Sequence, residues 1–90
     1  ALARWTGGTT AITASRNVSS ITRLGGGQYY VNFATAAPDP NYAALGASDG
    51  GPGVFTSARP DTASRAYVYS ANTLVQGYQD GTPYSFAAFW

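Results

Sequence analysis

The chain contains no cysteine, histidine, methionine, lysine or glutamate, and these absences narrow both the fold and the chemistry. Without cysteine it forms no disulfide, and without cysteine or histidine it lacks the usual nucleophile–base pairs and metal ligands. Lysine and glutamate are good helix formers and common on helix surfaces. Their absence, beside 11 glycines and many threonine, serine and tyrosine residues, predicts an all-β chain.

Charged residues are scarce as well, because five arginines and four aspartates give a formal net charge of only +1. So few scattered arginines do not form the basic footprint of a nucleic-acid-binding protein, and we expect no nucleic-acid partner. No apolar run approaches the length of a membrane span, so we expect no membrane insertion. The aspartates lie in turn-like contexts that do not indicate a catalytic pair. We therefore expect no enzymatic activity, no metal site and no cofactor.

The sequence does contain short extended segments separated by turn residues. In residues 28–35, every second residue from Tyr29 to Phe33 is apolar, which predicts a strand with one dry face. A glycine triplet at 25–27 precedes this strand. Because neither a lysine nor a helical segment accompanies the triplet, it predicts a hairpin turn joining residues 18–24 to 28–35 rather than a phosphate-binding loop.

The other segments complete a single predicted domain, residues 1–90. The further predicted strands are residues 2–6, 9–14, 42–47, 54–57, 64–70 and 84–90, with a turn at 58–61 and loops at 48–53 and 72–83. The run APDPNY must interrupt the sheet, since proline donates no backbone hydrogen bond. The pattern predicts a small antiparallel β-sandwich.

Two of the predicted strands have no properly polar face. In residues 64–70, Tyr67 and Tyr69 oppose small and aliphatic side chains, and residues 84–90 are apolar on both faces. A small antiparallel sheet usually shows one face to water, and a chain of 90 residues has a thin core. We therefore expect a second copy of the chain to cover part of this surface.

Tyrosines near the predicted loops are candidates for ligand binding. Tyr42, Tyr78 and Tyr84 either stack on the apolar face of a sugar ring or pack at strand ends with their hydroxyls exposed. Asp80 follows Tyr78 by two residues and offers an acceptor for a sugar hydroxyl. Asp49, in the other glycine-rich loop, is the third predicted ligand residue besides Tyr78 and Asp80. Binding groups tend to lie on loops held by a rigid scaffold, as both loops are here.

The stretch TTAITASRNVSSITRLGGGQYYVNFATAAPDPNY resembles a segment of tail-fibre and related tail proteins of tailed bacteriophages. The similar elements are a strand at 10–13, Ser-x-Asn-Val-Ser-Ser-Ile at 15–21, the hairpin at 25–27, Tyr-x-Val-x-Phe at 29–33 and the turn at 38–42. The second half is similar more loosely, through SRAYVYSANT and YSFAAFW.

The resemblance implies a distal, all-β, non-enzymatic module of a phage tail fibre, located in the virion and assembled as a homotrimer. Such modules contact a bacterial surface polysaccharide or an outer-membrane receptor. The resemblance identifies no receptor-binding residue. A structural virion module, such as a fibre connector, baseplate or head-decoration domain, is the main alternative, and a free lectin-like binder is the third.

Overall fold

The computed structural model describes residues 1–49, 53–74 and 76–90, and these residues form nine strands and no helix. The strands are β1 (Leu2–Trp5), β2 (Ile12–Arg16), β3 (Val18–Gly25), β4 (Gln28–Phe33), β5 (Ala43–Ser48), β6 (Val54–Thr62), β7 (Arg65–Asn72), β8 (Gly77–Tyr78) and β9 (Tyr84–Phe89). The predicted all-β class is confirmed. Within the described ranges, no helix long and apolar enough to cross a membrane is present.

The strands form two antiparallel sheets. One has the order β2-β1-β9-β5, and the other has the order β3-β4-β7-β6, with β8 pairing β7 beyond the end of β4. Side chains from both sheets share one buried cluster, in which Trp5 of β1 contacts Tyr29 of β4. Two sheets around one core are compatible with the predicted small β-sandwich, whereas assembly into a trimer stays a prediction.

Strand β4 shows the predicted alternation, because Tyr29, Val31 and Phe33 are buried and the residues between them are half-buried. Strands β3 and β4 pair through the glycine turn, so the predicted hairpin is confirmed. Gly27 has φ +70°, and a Cβ added to it would lie 2.5 Å from the carbonyl oxygen of Ser70. Both the turn and this close approach require glycine there.

Between β2 and β3 the chain passes from one sheet to the other through one residue, Asn17, whose φ is 56°. Asparagine tolerates this left-handed region better than most residues do. Asn17 Oδ1 accepts a hydrogen bond from the Thr35 N–H at 2.7 Å, and Asn17 Nδ2 donates to the Thr35 carbonyl at 3.1 Å. The crossing places β2 and β3 at corresponding edges of the two sheets.

The predicted turn at 58–61 is wrong. These residues continue β6 as far as Thr62, and the turn lies at residues 63–64. Pro60 pairs with Ala66 of β7 inside the strand. Proline is tolerated there because β6 is an edge strand, whose outer side makes no ladder hydrogen bonds.

The two predicted loops are described only in part. Residues 50–52 of the loop at 48–53 and residue 75 of the loop at 72–83 lie outside the described residues. The second loop is not free of secondary structure, because β8 lies within it and pairs with Ala71 and Asn72. This short strand fixes Tyr78 beside Ala71 of β7.

The centre of the core is a group of three fully buried rings, Trp5, Tyr29 and Tyr84, which we call the inner cluster. Their ring centroids are separated by 5.6 Å (Trp5–Tyr29), 5.0 Å (Trp5–Tyr84) and 4.8 Å (Tyr29–Tyr84). The Tyr84 hydroxyl donates to Ser70 Oγ and accepts from the Gly81 N–H at 2.9 Å. The inner cluster therefore joins the two sheets through both ring packing and hydrogen bonds.

Candidate functional site

The outer face of the five-stranded sheet carries a continuous row of aromatic side chains, which we call the outer stripe. Its members are Tyr30 of β4, Tyr67 and Tyr69 of β7, Phe55 of β6 and Tyr78 of β8. Centroid separations are 6.2 Å for Tyr30–Tyr67 and 5.5 Å for Tyr67–Tyr69. Tyr69 lies 6.3 Å from both Phe55 and Tyr78. The rings hold one another in place along the sheet.

The outer stripe ends in a slot with a volume of about 550 Å³. Ala71 pairs with Phe55 on one side and with Tyr78 on the other, so its small side chain forms a floor between two rings. Tyr69 lines the slot beside them. The polar side chains in the lining are Asn72, Thr73 and Gln76. The volume lies within the range of small-ligand sites, roughly 300–1,000 Å³.

The chemistry of this slot suits a flat, amphipathic ligand. Phe55 is 46% exposed and Tyr78 is 57% exposed, so both aromatic walls are accessible to solvent. The described residues that line the slot include no aspartate and no arginine. Apolar walls with an amide and hydroxyl rim can stack on a sugar ring and hydrogen-bond its hydroxyls. Such a lining provides binding groups rather than an acid and a base.

Two arginines lie over the rings at the other end of the outer stripe. The Arg65 guanidinium carbon is 3.8 Å from the Tyr30 ring centroid, and that of Arg59 is 4.9 Å from the Tyr67 centroid. Arg65 Nε also donates to Asp61 Oδ2 at 2.6 Å. Burial, and next the neighbouring Tyr78 hydroxyl, raises the pKa of Tyr67 above its ordinary value. The Tyr67 hydroxyl therefore stays neutral at physiological pH, and the arginines supply positive charge at this end of the stripe.

The structure places the predicted ligand residue Tyr78 in the wall of the slot. It places Asp80 elsewhere, beneath the β3–β4 hairpin. Asp80 Oδ1 accepts hydrogen bonds from the Gly27 N–H at 2.8 Å and from the Tyr29 hydroxyl. Asp80 Oδ2 accepts from Arg23 Nη2 at 2.7 Å. Both carboxylate oxygens are thus engaged within the chain.

The environment of Asp80 also sets two pKa values. Burial by itself would raise the pKa of Asp80, but hydrogen bonds from Tyr29, the Gly27 N–H and Arg23 together lower it below the ordinary value of 3.8. Burial, and then the bond to Asp80, raises the pKa of Tyr29 to about 12. A charged carboxylate and a neutral phenol are therefore the stable pair at neutral pH.

Asp49 lies in a third environment. Its side chain is exposed, and it lines a shallow hollow of about 250 Å³ with Arg4, Pro83 and Ser85. The three predicted ligand residues thus occupy a slot wall, a hydrogen-bond network and an open hollow. Ligand binding by Tyr78, Asp80 and Asp49 stays a prediction, and the geometry favours Tyr78 because its ring is exposed and its neighbours are aromatic.

The interpretation of Tyr42 and Tyr84 as exposed stacking residues is wrong. Tyr84 is fully buried in the inner cluster, and Tyr42 is only 6% exposed. The Tyr42 hydroxyl contacts the carbonyl oxygens of Thr62 at 2.9 Å and Arg65 at 2.6 Å. Both tyrosines pack at strand ends, as the other alternative had it, but their hydroxyls are hydrogen-bonded within the chain instead of exposed.

Sequence reasoning missed Tyr69, Phe55 and Arg59 as parts of a site. The alternation of side chains in β7 indicates the outward position of Tyr69, because Tyr67 and Tyr69 lie on the face opposite to the fully buried Ala66 and Val68. Once the small residues are assigned to the core, the tyrosines must face outward. Their grouping with Phe55 depends on strand pairing between β6 and β7, which local sequence does not reveal.

Metal chemistry finds no support in the described ranges, where no group of three or more acidic, histidine or cysteine side chains lies close enough to hold an ion. Comparisons of the chain with family models, with curated proteins and with solved structures give no match. The features of this chain that bear on its function are therefore its sequence motifs and the geometry of the outer stripe and slot.

Proposed function

We propose that this chain is a non-enzymatic module of a bacteriophage tail fibre, and that it binds a bacterial surface glycan in the slot without cleaving it. The observation that carries the glycan part is the pair of exposed rings, Phe55 and Tyr78, held on either side of Ala71. The likeness of residues 9–42 to phage tail proteins supports the location in a virion.

The slot is supported as a binding site by its rigidity as well as its exposure. Tyr69 contacts both wall residues, and Tyr67 stacks on Tyr69 at an interplanar angle of 25°. Rings that are already ordered lose little conformational freedom when a ligand binds. Of the three predicted ligand residues, the proposal therefore uses Tyr78 and assigns no direct contact to Asp49 or Asp80.

Self-association as a homotrimer is the second part of the proposal. The outer face of the four-stranded sheet bears a row in which Ala87 pairs with Leu2 on one side and Leu45 on the other. Leu45 is 63% exposed, and Phe89 on the same face is 58% exposed. Burying these side chains against further copies would stabilise an assembly by roughly 25 cal/mol per Å².

Assembly would also strengthen glycan binding. One shallow slot corresponds to a dissociation constant on the order of millimolar, which is about 4 kcal/mol. Three slots that engage one repetitive polysaccharide can raise the effective affinity by roughly 10²–10⁴. A monomer would therefore bind the bacterial surface weakly.

The second candidate function is a structural virion module, such as a fibre connector, baseplate or head-decoration domain. The apolar face around Leu45 and Phe89 favours it, because a connector needs protein contacts and no sugar site. The two candidates differ in what they predict for the slot, since a connector would not bind a polysaccharide.

Glycan binding is tested on an array of purified bacterial surface polysaccharides and on whole bacterial cells. We expect wild type to bind some of these, Tyr69→Ala and Tyr78→Ala to lose binding, and Tyr69→Phe and Tyr78→Phe to retain it, because the ring supplies the stacking face. Retained binding by both alanine variants would refute the slot assignment. If wild type binds neither polysaccharide nor cells, the structural module replaces the glycan binder.

Assembly is tested by sedimentation equilibrium at micromolar concentration. We expect a trimer for wild type and dissociation for Leu45→Asp, because a charge in the apolar row would be buried without a partner. Phe55→Asp, which places the same charge on the opposite outer face, is the matched control and should remain trimeric. A stable, folded wild-type monomer would contradict this part of the proposal.

A further inference from the structure

The two arginines of the outer stripe differ in how their charge is balanced. Arg65 forms an ion pair with Asp61, with 2.6 Å between Arg65 Nε and Asp61 Oδ2. Arg59 forms no ion pair and no hydrogen bond with any described residue, and its side chain is exposed. Within the part of the chain that the structure describes, the outer stripe therefore carries one positive charge that is not paired with a carboxylate.

The position of Arg59 leaves its hydrogen-bonding edge accessible. Its guanidinium carbon lies over the Tyr67 ring, 4.9 Å from the centroid, so the ring attracts the cation. Because no described residue accepts a hydrogen bond from Arg59 and its side chain is exposed, its N–H groups are available to a ligand. Two of these groups can meet the two oxygens of a carboxylate in a bidentate pair.

Arg59 and the slot belong to one surface. Phe55 and Arg59 are four residues apart on β6 and lie on the same face of the sheet, so their Cα atoms are separated by about 13 Å. Tyr67 and Tyr69 fill the space between them with rings that stack at 5.5 Å. A ligand that reaches from slot to Arg59 must therefore be an oligosaccharide or polymer that lies along the aromatic row.

We propose that the slot and Arg59 form one binding surface for a carboxylated polysaccharide, an inference that rests on the proposed glycan-binding function. One sugar ring stacks between Phe55 and Tyr78, the chain runs over Tyr69 and Tyr67, and the carboxylate of a further sugar pairs with Arg59. The slot supplies the stacking, and Arg59 supplies selectivity for acidic glycans over neutral ones.

The test is affinity electrophoresis of the full chain, which measures how strongly a defined polysaccharide in the gel retards its migration. The carboxylated probes are alginate, hyaluronan and polygalacturonate, the neutral probe is dextran, and a phosphomannan separates phosphate from carboxylate. We expect at least one carboxylated probe to retard wild type more strongly than either dextran or phosphomannan. Arg59→Gln should weaken that retardation about tenfold or more, because it removes a charge-assisted hydrogen bond.

Two further variants separate a specific contact from net charge. Arg16→Gln removes the same charge from exposed Arg16 on β2 of the other sheet, and it should leave retardation unchanged. Arg59→Lys keeps the charge but loses the planar fork, so it should bind more weakly than wild type and more strongly than Arg59→Gln. Added salt should weaken wild-type binding more than Arg59→Gln binding. Thermal melts establish that each variant is folded.

The outcomes distinguish the inference from the function on which it rests. Equal retardation by neutral and carboxylated probes, or no effect of Arg59→Gln, overturns the inference and leaves glycan binding in place. Stronger retardation by phosphomannan than by every carboxylated probe overturns the choice of carboxylate. Retardation by none of these probes overturns the inference, while the array and cell experiment decides the proposed function separately.

Discussion

Tyr29 and Tyr30 are neighbours in β4, yet they belong to two aromatic groups with different properties. Tyr29 is fully buried in the inner cluster, and its hydroxyl bonds to Asp80 and accepts from the Gly8 N–H at 2.8 Å. Tyr30 faces outward in the outer stripe, half-buried beneath Arg65. One step along a strand therefore separates a residue that holds the sheets together from one on the proposed binding surface.

The difference between the two groups lies in what their polar atoms contact. The inner cluster anchors the hydroxyls of Tyr29 and Tyr84 to partners inside the chain, so removing a ring or a hydroxyl there leaves buried groups unpaired. The outer stripe is held mainly by contacts between rings and by arginines above them. We therefore expect substitutions inside to change stability and substitutions outside to change binding.

The largest effect is expected when a ring of the inner cluster is removed. Tyr84→Ala should lower the free energy of unfolding by about 3–5 kcal/mol, because it leaves a cavity beside Trp5 and Tyr29. Urea unfolding followed by tryptophan fluorescence measures the change. Tyr84→Phe, which keeps the ring but leaves the Gly81 N–H unpaired, should cost about 1–3 kcal/mol. A loss below about 1 kcal/mol for Tyr84→Ala would contradict the role of this cluster.

Loss of the Asp80 carboxylate should have the second-largest effect on the free energy of unfolding. Asp80→Asn replaces an acceptor of three hydrogen bonds, one of them charged on both sides, and should cost about 1–3 kcal/mol at neutral pH. The matched control is Asp39→Asn, since Asp39 is exposed and, among the described residues, hydrogen-bonds only the local Asn41 N–H. That control should change stability by less than about 0.5 kcal/mol. Equal effects of the two substitutions would show that the network contributes little.

The same network predicts how stability depends on pH. The folded pKa of Asp80 is lowered, so its contribution is present above about pH 4 and is lost as the pH falls through the lowered value. The pKa of Tyr29 in the folded chain is raised to about 12 from 10.0. Its contribution to the free energy of unfolding is therefore present below pH 10 and is lost as the pH rises from 10 through about 12. Urea midpoints at pH 2–5 and 9–12 measure both, and Asp80→Asn should lose less stability than wild type on acidification.

The smallest effect on stability is expected in the outer stripe. Tyr69→Ala should change the free energy of unfolding by less than about 1 kcal/mol, because Tyr69 is partly exposed and its hydroxyl anchors nothing in the described residues. The same variant should lose polysaccharide retardation. A loss of stability as large as that of Tyr84→Ala would show that the outer stripe is a second core and not a binding surface.

Much of the fold could be predicted from local patterns. The alternation from Tyr29 to Phe33 and the glycine turn gave the β3–β4 hairpin, because strand period and turn geometry are local properties. The turn predicted at 58–61 is wrong because Pro60 lies inside an edge strand, where proline is tolerated. Its place on an edge strand depends on the order of β6 and β7 in the sheet, which residues 58–61 do not encode by themselves.

The candidate site was less predictable, because it is made by contacts between distant residues. Asp80 contacts Arg23 and Gly27, which precede it by more than 50 residues, so its hydrogen-bond network could not be read from its own turn. The slot likewise requires Phe55 and Tyr78 to pair with Ala71 from opposite sides. Tyr78 could be predicted as a ligand residue because its position near a loop is a local property, and its role in binding stays a prediction.

The most direct test of the division between inner cluster and outer stripe measures polysaccharide retardation and urea midpoint on the same two variants, Tyr69→Ala and Tyr84→Phe. We predict that Tyr69→Ala loses retardation by the strongest-binding polysaccharide and keeps a midpoint close to that of wild type. Tyr84→Phe should have a lower midpoint and, under conditions where it is folded, wild-type retardation. Unchanged retardation of Tyr69→Ala, with wild type clearly retarded, would contradict the account.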